Sequence, residues 1–278
     1  ELYNQVDYIS THNYTMNAGQ GTTNFLASYK QLDTLIKNSA KVVEFVKAKH
    51  HFEKDIKICL DEWNVWNFQD IKLDSLDDLA GLTTFEMTSA EKWEVAPGIL
   101  QEKYSLLDAL VVGGLGITLL NNVDTVEIAC LAQLINVIAP ITTVRGGGVF
   151  KQAIYHPFHM LSKYGRGTTM KAVVEAPAYS CEFGELPIVE PAVVYNEEKD
   201  EVRVFVLNCS QDEDTEFEVE LQGYGDKKLK QHLTLTGEDM EVRNTLEQPD
   251  NVVMRELEVK GGTKAVLPKM SWNILVLG

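Results

Sequence analysis

The sequence predicts two structural classes in succession, an α/β part up to about Gly165 and an all-β part after Gly167. Three observations carry this. In the first part, short apolar runs alternate with longer stretches of helical periodicity, as βα units do. In the second, short β-branched and aromatic runs are separated by acidic or glycine-bearing turns, the spacing of an all-β sandwich. Between them in importance, the run Ile56 to Leu60 leads directly into Asp61-Glu62-Trp63-Asn64-Val65-Trp66. That segment brings a carboxylate and two indoles to one strand end, which is where chemistry collects in α/β barrels.

Taken in order, Val6 to Ser10 reads as a strand ending at His12-Asn13-Tyr14. From Asn24 to His50, the residues Phe25, Tyr29, Leu32, Ile36, Ala40, Val43 and Val46 recur at three- and four-residue steps, one stripe of an amphipathic helix. Ile56 to Leu60 is the next strand, and a polar loop follows to about Trp93. Pro97 to roughly Leu120 reads as a helix whose Gly113, Gly114 and Gly116 permit close packing. Periodicity alone leaves Val126 to Ala132 between strand and helix; the βα alternation favours a strand, which aims Gln133 at the same rim as Glu62. Leu134 to Gly148 reads as an irregular loop and Tyr155 to Tyr164 as a closing helix. The all-β part offers runs at 193–195, 202–207, 217–221, 232–235, 252–259, 263–267 and 272–277.

With 278 residues and 45% hydrophobic content, the chain can bury one large core or two smaller ones. Its net charge of -16 repels phosphate backbones and anionic membranes, which argues against nucleic acid as a partner. The longest apolar stretch, Ile128 to Ile141, is broken by Gln133, Asn136 and Pro140, so no membrane segment is expected. Cys59, Cys130, Cys181 and Cys209 lack metal-type spacing. They read as buried thiols of a reducing compartment, hence a cytoplasmic protein, and no signal peptide is visible. The chain opens on Glu1 rather than methionine, which implies upstream sequence. Asp74 to Asp78 lacks the glycine and terminal glutamate of a calcium loop, and Gly146-Gly147-Gly148 lacks the Lys-Ser/Thr of a phosphate loop. No metal or cofactor is inferred.

Aromatic rings beside a carboxylate suit sugars, whose C–H faces stack on indole while their hydroxyls need polar partners. The bland alternative is a strand ending in a solvated Asp-Glu turn with both tryptophans in the core. Neighbouring words decide between them. Val6-Asp7-Tyr8-Ile9-Ser10-Thr11-His12-Asn13-Tyr14, the segment from Asp61 to Trp66, Asp108-Ala109-Leu110-Val111-Val112-Gly113, the segment from Ile128 to Pro140, Tyr164-Gly165-Arg166-Gly167 and Pro268-Lys269-Met270-Ser271-Trp272-Asn273 occur in this order. Together they resemble the α-L-arabinofuranosidases of family 51 of the glycoside hydrolases, from Val6 almost to Gly278.

The resemblance implies the last three βα units of an eight-fold (β/α)8 TIM barrel in residues 1–166, followed by a jelly-roll-like β-sandwich in 167–278. It also implies that the first five units, and the acid/base glutamate they carry, lie outside this chain. Retaining hydrolysis needs a nucleophilic carboxylate and a second carboxyl group about 5–5.5 Å from it. By resemblance Glu62 is the nucleophile. His12 and Tyr14 shape the sugar site and orient Glu62, Trp66 stacks on substrate, and Gln133 hydrogen-bonds sugar or carboxylate. Glu86, Glu91 and Glu94 are weak in-chain substitutes for the acid/base, in a loop after Trp66 longer than in bacterial relatives. The implied reaction is exo-acting release of terminal arabinofuranosyl residues from arabinose-containing oligo- or polysaccharides, by an enzyme that forms homo-oligomers. Internal cleavage of glucan or xylan chains, or a carbohydrate-binding or assembly fragment without catalysis, stay open as alternatives.

Overall fold

The computed structural model describes residues 2–17, 19–67 and 102–278. Three parallel strands, β1 (Tyr8–Thr15), β2 (Lys57–Val65) and β3 (Val126–Leu131), form one sheet in the order β1-β2-β3. The expected strand at 126–132 is therefore present. β1 and β2 both run further than the apolar pattern indicated, carrying their polar C-terminal words inside the sheet. The loop expected after Trp66, with Glu86, Glu91, Glu94 and Asp74 to Asp78, lies outside the described residues.

The helix expected over 24–50 is two helices, α1 (Gly21–Leu26) and α2 (Tyr29–His50). The apolar stripe runs through the break at Ala27 and Ser28 because both sides face one core, so periodicity alone did not reveal it. Phe25, Tyr29, Leu32, Ile36 and Val43 are buried as the stripe requires. α2 ends at His51 in the left-handed region, with Lys47, Lys49 and His50 in its last turn opposing the helix dipole.

α3 (Leu106–Asn121) starts later than the sequence indicated, since Glu102 to Ser105 are not helical. A capping box fixes that start: the Ser105 N–H donates to Asp108 Oδ2 at 2.7 Å and the Asp108 N–H to Ser105 Oγ at 3.3 Å. The helix is buried on nearly every face, packed against α1, α2, β2 and the later strands at Val189–Asn196, Glu201–Asn208 and Ser271–Leu277. Its glycines make this possible. A Cβ on Gly113 would sit 2.4 Å from the Trp272 indole, and one on Gly116 2.1 Å from Leu161 Cδ1.

The segment 134–148 is not wholly irregular. β4 (Ile141–Thr143) and β5 (Val149–Lys151) pair as an antiparallel hairpin around Gly146, Gly147 and Gly148, all at positive φ. The glycines are its turn, and the strands are too short for alternation to register. α4 (Tyr155–Tyr164) matches the expected closing helix.

After Gly167 the chain is β throughout. β6 (Thr168–Met170), β9 (Val189–Asn196), β10 (Glu201–Asn208), β12 (Leu229–Leu235), β13 (Arg255–Leu257) and β15 (Ser271–Leu277) form a six-stranded sheet in the order β13-β12-β15-β10-β9-β6. β7 (Ala178–Cys181) pairs with β8 (Gly184–Pro187), and β11 (Thr215–Glu218) with β14 (Lys264–Leu267). β6, β7 and β8 were not foreseen; they are only three or four residues long and only Leu186 among them is buried, so they carry little apolar pattern. β10 alternates between two cores. Val202, Val204 and Val206 join a cluster with Leu267 and Phe217, while Phe205 and Leu207 join Trp272 in a larger cluster that includes α2 and α3. That larger cluster is continuous from Phe25 to Val276, so the α/β and all-β parts share it.

The four cysteines are free, but only Cys209 is buried. Cys130 is exposed because β3 is an edge strand, with Glu127 to Cys130 all exposed on both faces, and the expectation of a buried thiol there fails. No helix among the described residues is long and apolar enough to cross a membrane. Among them, too, no group of three or more His, Cys, Asp or Glu side chains is arranged to hold a metal ion.

Candidate active site

The site forms where β1 and β2 run side by side. His12 pairs with Glu62 and Tyr14 with Asn64 across the parallel ladder, and the two-residue period of β1 turns the His12 and Tyr14 side chains to the same face. The Tyr14 hydroxyl donates to Glu62 Oε2 at 2.9 Å, and His12 Nδ1 lies 3.6 Å from the same oxygen. Partial burial, then the Glu62 carboxylate, push the Tyr14 phenol up to about 12, so it remains a donor throughout the neutral range.

On its other side His12 meets a second carboxylate: Nε2 is 3.3 Å from Asp61 Oδ1, which also accepts a 2.7 Å hydrogen bond from the Ser10 hydroxyl. That hydroxyl first, and His12 in addition, hold the Asp61 carboxyl below its ordinary range. Sequence reasoning missed Ser10 and Asp61. Ser10 was within reach of the period-two argument, two residues before His12 on the same face. Asp61 was not, because a regular strand would put it on the face opposite Glu62.

The two indoles part company. Trp63 is buried in the core, 6.3 Å ring to ring from Phe158, whereas Trp66 stays half-buried and meets the Tyr14 ring edge-on at 5.4 Å. The expectation of two indoles at one spot therefore holds for Trp66 alone. Trp66 is tied to β1 by its backbone N–H, which donates to the Thr15 carbonyl at 2.9 Å. The strand end is tied down further by Tyr104, whose hydroxyl donates to the Val65 carbonyl at 2.8 Å, and by Asn67, which donates to Asp108 Oδ1 at 2.8 Å.

Gln133 lies two residues beyond β3, exposed and at φ +62°. No hydrogen bond joins it to Glu62 among the described residues. The loop bearing it is nonetheless anchored to the site strand, through Ala132 N–H to the Trp63 carbonyl at 3.0 Å and Asn64 Nδ2 to the Ile138 carbonyl at 2.6 Å. Asn136 and Ile138 in that loop also take positive φ, at 68° and 40°, a strained path for a β-branched residue.

Chemically, the arrangement presents a half-exposed carboxylate with a phenol donor and an imidazole on one oxygen, beside an aromatic face. Such a group can attack an electrophilic carbon or accept a sugar hydroxyl.

The family described as "Alpha-L-arabinofuranosidase C-terminal domain" matches residues 61–271. An intracellular exo-α-(1→5)-L-arabinofuranosidase from Bacillus subtilis is 38% identical over 99% of this chain and 53% of its own length. An exo-α-(1→6)-L-arabinofuranosidase from Bifidobacterium longum is 31% identical, over 98% of this chain and 52% of its own. Among solved structures, a family 51 α-L-arabinofuranosidase from Bifidobacterium longum superposes with a TM-score of 0.84 at 27% identity, covering 99% of this chain and 53% of that one. The chain thus spans about half the length of the relatives it matches. By motif, family match and structural likeness, the chain belongs to the α-L-arabinofuranosidases of glycoside hydrolase family 51, over their C-terminal portion.

Proposed function

We propose that this chain is the C-terminal portion of a retaining, exo-acting α-L-arabinofuranosidase in which Glu62 is the nucleophile. The observation that carries the reading is Glu62 Oε2, at the end of a parallel strand, accepting the Tyr14 hydroxyl at 2.9 Å with His12 at 3.6 Å. A donor on that oxygen holds the carboxylate in place for attack on the anomeric carbon. His12, Tyr14, Trp66 and Gln133 then contact the sugar, Trp66 offering its indole face. The substrate is a terminal non-reducing arabinofuranosyl residue of arabinan, arabinoxylan or an arabino-oligosaccharide.

The acid/base carboxyl belongs to the first five units of a (β/α)8 barrel, of which β1, β2 and β3 are the last three strands. Two features support this. β1 and β3 are both edges of their sheet, and Tyr8, Ile9 and Ile128 on them are exposed apolar side chains that further strands would cover. Residues 1–166 then belong to the barrel and 167–278 to a jelly-roll-like sandwich, in a cytoplasmic enzyme that self-associates. The test is hydrolysis of an aryl arabinofuranoside. The chain alone is expected to give no turnover, and the chain joined to the first five barrel units to give full turnover. Robust turnover by the chain alone would place the acid/base within it and overturn this division of the site.

A further inference from the structure

The pairing of β2 is irregular with β3 at Ile58/Cys59 and, at one shared place, with both of its neighbours. Thr11 pairs with Leu60 but His12 with Glu62, and on the other side Leu60 pairs with Ala129 but Trp63 with Leu131. Both neighbours skip one residue of β2 between Leu60 and Trp63. This is a β-bulge, a device that re-aims side chains beside functional sites. Its consequence is that two consecutive residues, which a regular strand would point to opposite faces, both reach the same imidazole: Asp61 on Nε2 at 3.3 Å and Glu62 on Nδ1 at 3.6 Å.

We propose that Asp61 is a positioning residue for Glu62, acting through His12 and itself held by Ser10. The inference rests on the reading of Glu62 as nucleophile. An imidazole ring has one free rotation that decides whether a nitrogen faces Glu62, and here the opposite nitrogen is fixed by Asp61 Oδ1. That oxygen is in turn fixed by the Ser10 hydroxyl at 2.7 Å. The chain of contacts runs Ser10, Asp61, His12, Glu62, with Tyr14 on the same Glu62 oxygen from β1. With Asp61 on Nε2, the ring is turned so that Nδ1 faces Glu62. No substrate contact is needed for this role.

The experiment uses the enzyme with its complete barrel and an aryl arabinofuranoside. Glu62→Ala is measured first; normal turnover there would defeat the nucleophile reading and is distinct from a failure of the Asp61 assignment. With Glu62 essential, Asp61→Ala is expected to lower kcat by about 10- to 100-fold, as a small misplacement of a reacting group does, while KM changes by less than about two-fold. Asp61→Asn recovers part of the loss, since its amide oxygen still accepts from Ser10 and His12. In a His12→Ala background, Asp61→Ala costs less than about two-fold, because its route to Glu62 is already gone. Wild-type kcat in Asp61→Ala, or the same loss with and without His12, would overturn the proposal. Should Asp61→Ala not fold, Asp61→Asn and Ser10→Ala carry the same cycle against His12→Ala.

Discussion

At the scale of single residues, the Tyr14 hydroxyl is the best-defined partner of Glu62. Removing it in Tyr14→Phe deletes a hydrogen bond to a charged acceptor, about 1.5–3 kcal/mol, so kcat/KM in the complete enzyme should fall roughly 10- to 150-fold with the fold intact. The phenol also has a pH signature. Its folded value is raised from 10.0 to about 12, so the folded state holds this proton more tightly. The stability it lends is complete below pH 10.0 and is lost as pH rises from there through about 12. Alkaline melting curves of the wild type should therefore decline over that window more steeply than those of Tyr14→Phe, and parallel curves would refute the coupling. Glu62 stood out in the sequence as a strand-end carboxylate, and the resemblance pointed to His12 and Tyr14, which the period of β1 sets on one face. Asp61 was hidden for a physical reason: the bulge that turns it to the site is a property of three-strand pairing, and no local pattern of β2 encodes it. Trp63 and Trp66 look alike in sequence, and only the core around Phe158 separates their fates.

At the scale of elements, α3 is the piece on which both parts of the molecule lean. The sequence read it as a helix whose glycines permit close packing, so Gly113 was legible as a packing position. What it packs against was not, since the Trp272 indole lies 159 residues away in the chain. Gly113→Ala should destabilise the protein by about 1–3 kcal/mol, because the added Cβ falls 2.4 Å from the ring of a fully buried tryptophan that cannot retreat. Chemical denaturation reads this directly: the midpoint should drop with an unchanged slope. An unshifted midpoint would mean that α3 and β15 are less closely packed than the structure has them. The break between α1 and α2, the β4–β5 hairpin and the β7–β8 hairpin escaped the sequence reading. The first lies under an unbroken apolar stripe, and the others are too short and exposed to show one.

At the scale of the whole molecule, the chain joins a three-stranded parallel sheet to a six-stranded antiparallel one through one continuous core. The sequence made both classes legible from the change of period near Gly167, and the shared core was not legible, because contacts between distant segments leave no periodic trace. The central claim is that the parallel sheet carries half of a two-carboxylate site whose nucleophile is Glu62. The most direct measurement is product analysis of Glu62→Ala in the complete enzyme with an activated aryl arabinofuranoside and added azide. Without azide, activity should be lost; with it, turnover should return and yield the arabinofuranosyl azide of inverted anomeric configuration, azide occupying the place of the missing carboxylate. Normal hydrolysis by Glu62→Ala, or a rescued azide product of retained configuration, would contradict the account.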